Sequence, residues 1–286
     1  MRFIQRLALL MLVAFPVWAD ELRIEANNLN QNLTKYVVLD ARSVDLYQSL
    51  HIDGALNFPA AFTYHNQEID GKISKPEKMQ KYIRALGLTV DTPVVVYDEG
   101  SLVDAARLFW ALEVYGFKNV KVLSVGFDSW VHNDLAISTD TPETSPSNYV
   151  PQINDNRIAS KLKTLIATKS PDHMIIDARG DDFYQGIKTS AKRSGHILSA
   201  HNYPASSVIF SENEFSELQP IEQLLQVYSD IPKNKKVVTY CTRGKIAAAN
   251  YLALRELGYD VSVYDASWNE WGNEVQLPIN NPSEQK

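Results

Sequence analysis

The feature that most constrains this chain is that it repeats itself at a spacing close to half its length. Val37-Val38-Leu39-Asp40-Ala41-Arg42 returns as Met174-Ile175-Ile176-Asp177-Ala178-Arg179. His51-Ile52, followed by Ala55, Asn57 and Pro59, returns as His196-Ile197, followed by Ala200, Asn202 and Pro204. Val94-Val95-Val96-Tyr97-Asp98 returns as Val237-Val238-Thr239-Tyr240-Cys241, and Val122-Leu123 with Trp130 returns as Val263-Tyr264 with Trp271. Landmarks recurring in one order mark a duplication, and 286 residues suffice for two domains with a core each. The chain divides into an N-terminal domain over residues 20–140, a Thr-, Ser-, Pro- and Asn-containing stretch over 141–151 that reads as a linker, and a C-terminal domain over 152–286.

Within each copy, short β-branched runs alternate with helical stretches. Residues 94–97 and 237–240 are too apolar for half-exposed strands and predict buried strands of a parallel sheet. Residues 105–115 and 245–257 are rich in helix formers and read as amphipathic helices, with Gly116 and Gly258 just behind them as C-terminal caps. Strands at 120–123 and 261–264 follow. Strand, helix, strand in each copy predicts an α/β fold, a mainly parallel sheet flanked by helices in each of two domains.

Composition narrows the function classes. A formal charge of −6 disfavours binding to a nucleic-acid backbone. Arg2 and Arg6, an apolar run from Leu7 and a Val17-Trp18-Ala19 end predict a cleavable signal peptide over residues 1–19, hence an exported, periplasmic protein without stable membrane insertion. The single cysteine excludes a disulfide framework and a cysteine-rich zinc site, and His65, His132, His173 and His201 lack metal-ligand spacing, so no metal and no cofactor is expected. Any thiol chemistry centres on Cys241.

Cys241 falls at the carboxyl end of a buried strand, where ligands of open α/β sheets collect. The loop behind it, Thr242-Arg243-Gly244-Lys245, runs into a helix starting near Lys245 or Ile246. The backbone N–H groups of Thr242, Gly244 and Ile246 are therefore candidates to surround the sulfur, aided by the helix N-terminus and by the charges of Arg243 and Lys245. A free cysteine titrates near pH ~8.5, so such donors are what a nucleophilic thiolate at neutral pH requires. Asp98 holds the matching place in the first copy and reads as a vestigial or capping carboxylate. His51 and His196, present in both copies, read as turn-fixing residues, and Trp110, Trp130, Trp268 and Trp271 as core. Lys188, Lys192 and Arg193 read equally as a solvated face or as a device that gathers anions.

Through the paired Asp-Ala-Arg and His-Ile elements, Tyr240-Cys241-Thr242-Arg243-Gly244-Lys245 and Tyr264-Asp265-Ala266-Ser267-Trp268-Asn269-Glu270-Trp271-Gly272, the chain resembles the rhodanese family of sulfurtransferases, as two tandem domains. The resemblance implies a first domain that has lost its cysteine and a catalytic second one. It also implies double displacement: Cys241 takes sulfur from a donor as a persulfide and passes it to cyanide or a thiol. Arg243 matches a basic donor-orienting position, and Arg179 is implied as a second donor ligand at the mouth of the site. Lys245 and Thr242 depart from the family pattern. Two cations on the loop favour thiosulfate over 3-mercaptopyruvate, whose carboxylate would use Arg179. The competing readings are a persulfide carrier for a protein partner and a cysteine phosphatase. The latter is disfavoured because Ala247, not an arginine, stands six positions after Cys241.

Overall fold

The apolar runs around Val95 and Val238 become the middles of two parallel sheets. The computed structural model describes residues 22–66, 71–212 and 215–285, so the leader expected over residues 1–19 lies outside the described residues. In the N-terminal half the strand order is Arg23–Ile24, Val120–Leu123, Val94–Tyr97, Val37–Asp40 and Leu56–Asn57, every pairing parallel. In the C-terminal half it is Ala200–Asn202, His173–Asp177, Lys236–Tyr240 and Asp260–Val263, again parallel, with a bridge from Ile158 to Val263 at the edge. Each half also has a small antiparallel pair, His51–Ile52 with Ile137–Ser138 and His196–Ile197 with Ile279–Asn280. Duplication thus extends to topology. No helix among the described residues is long and apolar enough to cross a membrane.

The two helices that leave the Asp98 and Cys241 loops are Val103–Val114 and Ala247–Glu256. Gly116 and Gly258 follow them at φ +91° and +77°, the left-handed caps that the sequence implies. Neither helix is amphipathic in place, which corrects the sequence reading. Every position of Ala247–Glu256 except Arg255 is buried, as are nine residues of Val103–Val114. The cause is that the helices pack on each other and join the two halves in one hydrophobic cluster. Phe109 and Tyr251 meet with ring centroids 6.3 Å apart, and Glu113 accepts from the Tyr251 hydroxyl at 2.5 Å and pairs with Arg255 at 2.8 Å.

The stretch read as a linker is a packed strap. Tyr149 is 3% exposed, and its hydroxyl donates to the Tyr115 carbonyl at 2.7 Å. Its own carbonyl accepts from Gln80 and Arg84. One buried aromatic with satisfied polar ends is enough to dock a segment whose composition suggests mobility.

Candidate active site

The end of each central strand is fixed by the same set of buried groups. In the N-terminal half the Tyr97 hydroxyl donates to Asp40 at 2.5 Å and accepts from the Ile52 N–H at 3.2 Å, while Arg42 pairs with Asp40 at 2.7 Å. In the C-terminal half Tyr240 donates to Asp177 at 2.6 Å and accepts from Ile197 at 3.1 Å, and Arg179 pairs with Asp177 at 2.6 Å. This lock sets the height at which residues 98 and 241 leave their sheets.

Beyond the lock, the loop after Cys241 has its carbonyls bound and amides left over. Cys241 O and Thr242 O accept from Trp268 and Asn269, Gly244 O from Arg107, and Lys245 O and Ile246 O from Ala248 and Ala249. The Cys241 N–H donates to Ser267 Oγ at 3.1 Å, which donates on to Tyr264 O. The N–H groups of Thr242, Gly244, Lys245, Ile246 and Ala247 find no protein acceptor among the described residues. Gly244 sits at φ +68°, and a Cβ there would lie 2.6 Å from Asp265 O, so only glycine lets the loop close this tightly.

The N-terminal half shows what such a loop holds. There the Asp98 carboxylate accepts from the N–H groups of Gly100, Leu102, Asp104 and Ala105 at 3.0–3.1 Å, and from Ser101 Oγ at 3.2 Å. It caps the helix, as expected. Burial pushes its pKa upward, against the pull of these amides. One anion carried by the first residue of the loop is thus gripped by the main chain behind it. In the C-terminal half that first residue is Cys241.

A rhodanese-like domain model matches residues 25–133 and again 159–274. The chain belongs to the rhodanese family. It is similar to the 3-mercaptopyruvate sulfurtransferase of Escherichia coli K12, 28% identical over 82% of this chain and 84% of that one. Similarity to a thiosulfate sulfurtransferase of Corynebacterium glutamicum is of the same order, 29% over 82% and 81%. Among solved structures, SseA from Escherichia coli, a 3-mercaptopyruvate sulfotransferase, superposes with a TM-score of 0.76 at 26% identity, covering 87% of this chain and 99% of that one. This is a tandem-domain rhodanese sulfurtransferase.

In this rhodanese the site residues read from the sequence separate into two groups. Cys241, Thr242, Arg243, Gly244 and Ile246 form one loop, with Arg243 exposed and Thr242 and Ile246 half-buried. Cys241 is 1% exposed, more enclosed than its position at a strand end implies. A groove of about 430 Å³ between the halves borders the loop at Ile246 and reaches Ser101, Ala178 and Gly180. Arg179 is a correction. It is 1% exposed and spent on Asp177 and the Gly195 carbonyl rather than standing at the site mouth. Only its Nη1 is unpartnered, the atom that in Arg42 meets Glu99, the counterpart of Thr242. Lys245 is a second correction, since its ammonium pairs with Asp104 of the N-terminal half at 2.8 Å. Arg193 is likewise committed, to the carbonyls of Trp271, Glu274 and Leu277.

Both histidines of the repeat are structural, as read. His51 stacks on Tyr47 and meets its carbonyl, and His196 does the same with Tyr184. The four tryptophans read as core, Trp110, Trp130, Trp268 and Trp271, are 0% exposed. Sequence reasoning missed Ser267, Asp265 and two residues of the other half, Tyr64 and Arg107. Arg107 had a signal, a lone cation inside the apolar run Ala105-Ala106-Arg107-Leu108-Phe109-Trp110.

Proposed function

We propose that this rhodanese moves a sulfane sulfur from thiosulfate to a thiophilic acceptor, cyanide or a thiol, through a persulfide on Cys241. The Cys241 thiolate attacks the outer sulfur of thiosulfate. A sulfur–sulfur bond forms to the cysteine, the bond to the sulfonate sulfur breaks, and its electron pair leaves with sulfite. The acceptor then attacks the persulfide's outer sulfur, giving thiocyanate from cyanide or a persulfide from a thiol, and returns the thiolate. One negative charge rests on the loop before and after each step, so fixed amide donors serve both states without rearranging.

The observation that carries this reading is the Asp98 carboxylate seated on four main-chain N–H groups in the duplicated loop. Thiosulfate over 3-mercaptopyruvate is supported by Arg243 on the loop and by Arg179, whose commitment to Asp177 removes the cation expected to hold a mercaptopyruvate carboxylate. The similarity to a 3-mercaptopyruvate sulfurtransferase supports that donor as the second reading. Export to the periplasm belongs to the proposal on the leader pattern alone.

Incubation with each donor, followed by intact-mass detection and sulfite assay, tests the whole reading. Expected are a gain of ~32 Da, one persulfide sulfur, continuous sulfite release with cyanide present, no gain in Cys241→Ser, and a protein lacking residues 1–19. Arg243→Ala should weaken thiosulfate use by about 1–3 kcal/mol, the range for a hydrogen bond to a charged group. Far faster turnover of 3-mercaptopyruvate overturns the donor assignment, and a single loading without turnover replaces enzyme by carrier.

A further inference from the structure

The N-terminal half carries no cysteine, yet it sends a charge into the other half's site. Arg107 is 0% exposed. Its Nη1 donates to the Gly244 carbonyl at 3.0 Å, Nη2 to the Gly71 carbonyl at 3.2 Å and Nε to Thr63 Oγ1 at 3.2 Å. The guanidinium carbon lies 4.1 Å from the Tyr64 ring centroid and 4.4 Å from that of Trp110. Every one of these partners is neutral, and no carboxylate among the described residues pairs with it. A buried cation that nothing balances is strongly disfavoured.

Burial pushes the Arg107 guanidinium downward, and Tyr64, Asp265 and Cys241 beside it act the other way. Burial pushes the Asp265 carboxyl upward, against the pull of the Ile73 and Ala266 N–H groups and of Arg107 itself. Tyr64 is held as a neutral phenol, pushed up to about 12 chiefly by burial, and its hydroxyl is buried without a partner. Asp265 and the sulfur of Cys241 are thus the two groups beside Arg107 that can carry a balancing negative charge. The fold does not require a cation at this place. The matching stretch of the twin helix, Ala248-Ala249-Asn250-Tyr251, is uncharged, and Asn250 only ties the Tyr203 carbonyl at 2.7 Å within its own half. The same contact shapes the loop. Gly71, held by Arg107, packs so closely that a Cβ on it would lie 2.5 Å from Arg243 O, and Ile73 beside it donates to Asp265 at 2.6 Å.

We infer that Arg107 is a positioning residue of the active site, holding the Gly244 turn and stabilising anionic sulfur on Cys241 from across the domain interface. The inference rests on Cys241 being the reacting group of the proposed function. It gives the cysteine-free domain a role in the chemistry, since a buried guanidinium in a nearly enclosed site acts with little screening by water.

Because the chain has one cysteine, alkylation by iodoacetamide reads that thiol alone. The other ionisable groups around it, Tyr64, Asp265, Arg243 and the Lys245–Asp104 pair, stay unchanged in Arg107 variants. In Arg107→Gln the pH midpoint of alkylation should rise by about one unit, the size expected for losing a nearby opposite charge, with about tenfold slower alkylation at neutral pH. Arg107→Lys, which keeps the charge, should hold the midpoint near the wild-type value. A folded Arg107→Gln with an unmoved midpoint overturns the inference. Should that variant not fold, Arg107→Lys decides, since a rise as large as one unit with the charge retained overturns it too. The readout needs no sulfur donor, so it stands or falls separately from the donor assignment.

Discussion

The loops after Asp98 and Cys241 are two solutions to one backbone problem. A strand ends, a helix begins, and the amides of the turn between them lack the partners that either element would supply. In the N-terminal half a carboxylate of the chain itself answers them, Ser101 adds a hydroxyl, and Glu99 closes over Arg42. In the C-terminal half a sulfur stands in the carboxylate's position, Thr242 replaces Glu99, and Arg179 Nη1 and a row of loop amides stay without protein partners among the described residues. The difference teaches that one backbone turn can be satisfied by its own side chain, as a helix cap, or keep its donors for the role proposed above for the Cys241 loop.

The sharpest way to break that comparison is to remove both first residues in turn. Asp98→Ala strips the acceptor from four buried N–H groups and should cost about 2–4 kcal/mol of stability, seen as a lower melting temperature. Cys241→Ala trims one buried atom and should cost less, about 1 kcal/mol, while ending sulfur transfer. Equal melting of the two variants would mean that the cradles are not equivalent. Next in size, Gly244→Ala forces a Cβ to within 2.6 Å of Asp265 O at φ +68°. That strain should cost about 2 kcal/mol and lower turnover more than it raises KM, by displacing the amides rather than the donor. Steady-state kinetics alongside melting checks both.

A smaller effect separates the halves by pH. The basicity of His196 is lowered, first by burial, with Nδ1 on the Tyr184 carbonyl and the Asn280 amide at Nε2, 3.3 Å away. A base whose folded value lies below its unfolded one binds more protons when unfolded. Its contribution is therefore full above pH ~6.5 and declines as pH falls through the folded value. Melting followed between neutral and mildly acidic pH should show this decline, and His196→Gln should flatten it. His51, which meets carbonyl oxygens of Tyr47 and Asp140 with its two ring nitrogens, gives no such pattern of partners.

What was legible in the chain was whatever is written locally and twice. The strand runs, the capping glycines Gly116 and Gly258, the strand-end position of Cys241 and the capping role of Asp98 each follow from neighbouring residues and backbone geometry. The repeat even contained the correction for Arg179, because Arg42 stands at the same place in a half without a cysteine, which marks the pair with aspartate as architecture. The strap at Tyr149 was missed because one aromatic outweighs a run of small polar residues.

By itself, then, the sequence determined the duplication, the α/β order and the loop that carries the sulfur, since propensity, periodicity and left-handed turns act over a few residues. The tertiary structure alone decided that Lys245 pairs with Asp104, that both central helices are buried on most sides, and that Arg107 reaches the Gly244 carbonyl of the other half. Those facts come from packing one domain against another, where partners distant in the chain meet and no local pattern records their meeting.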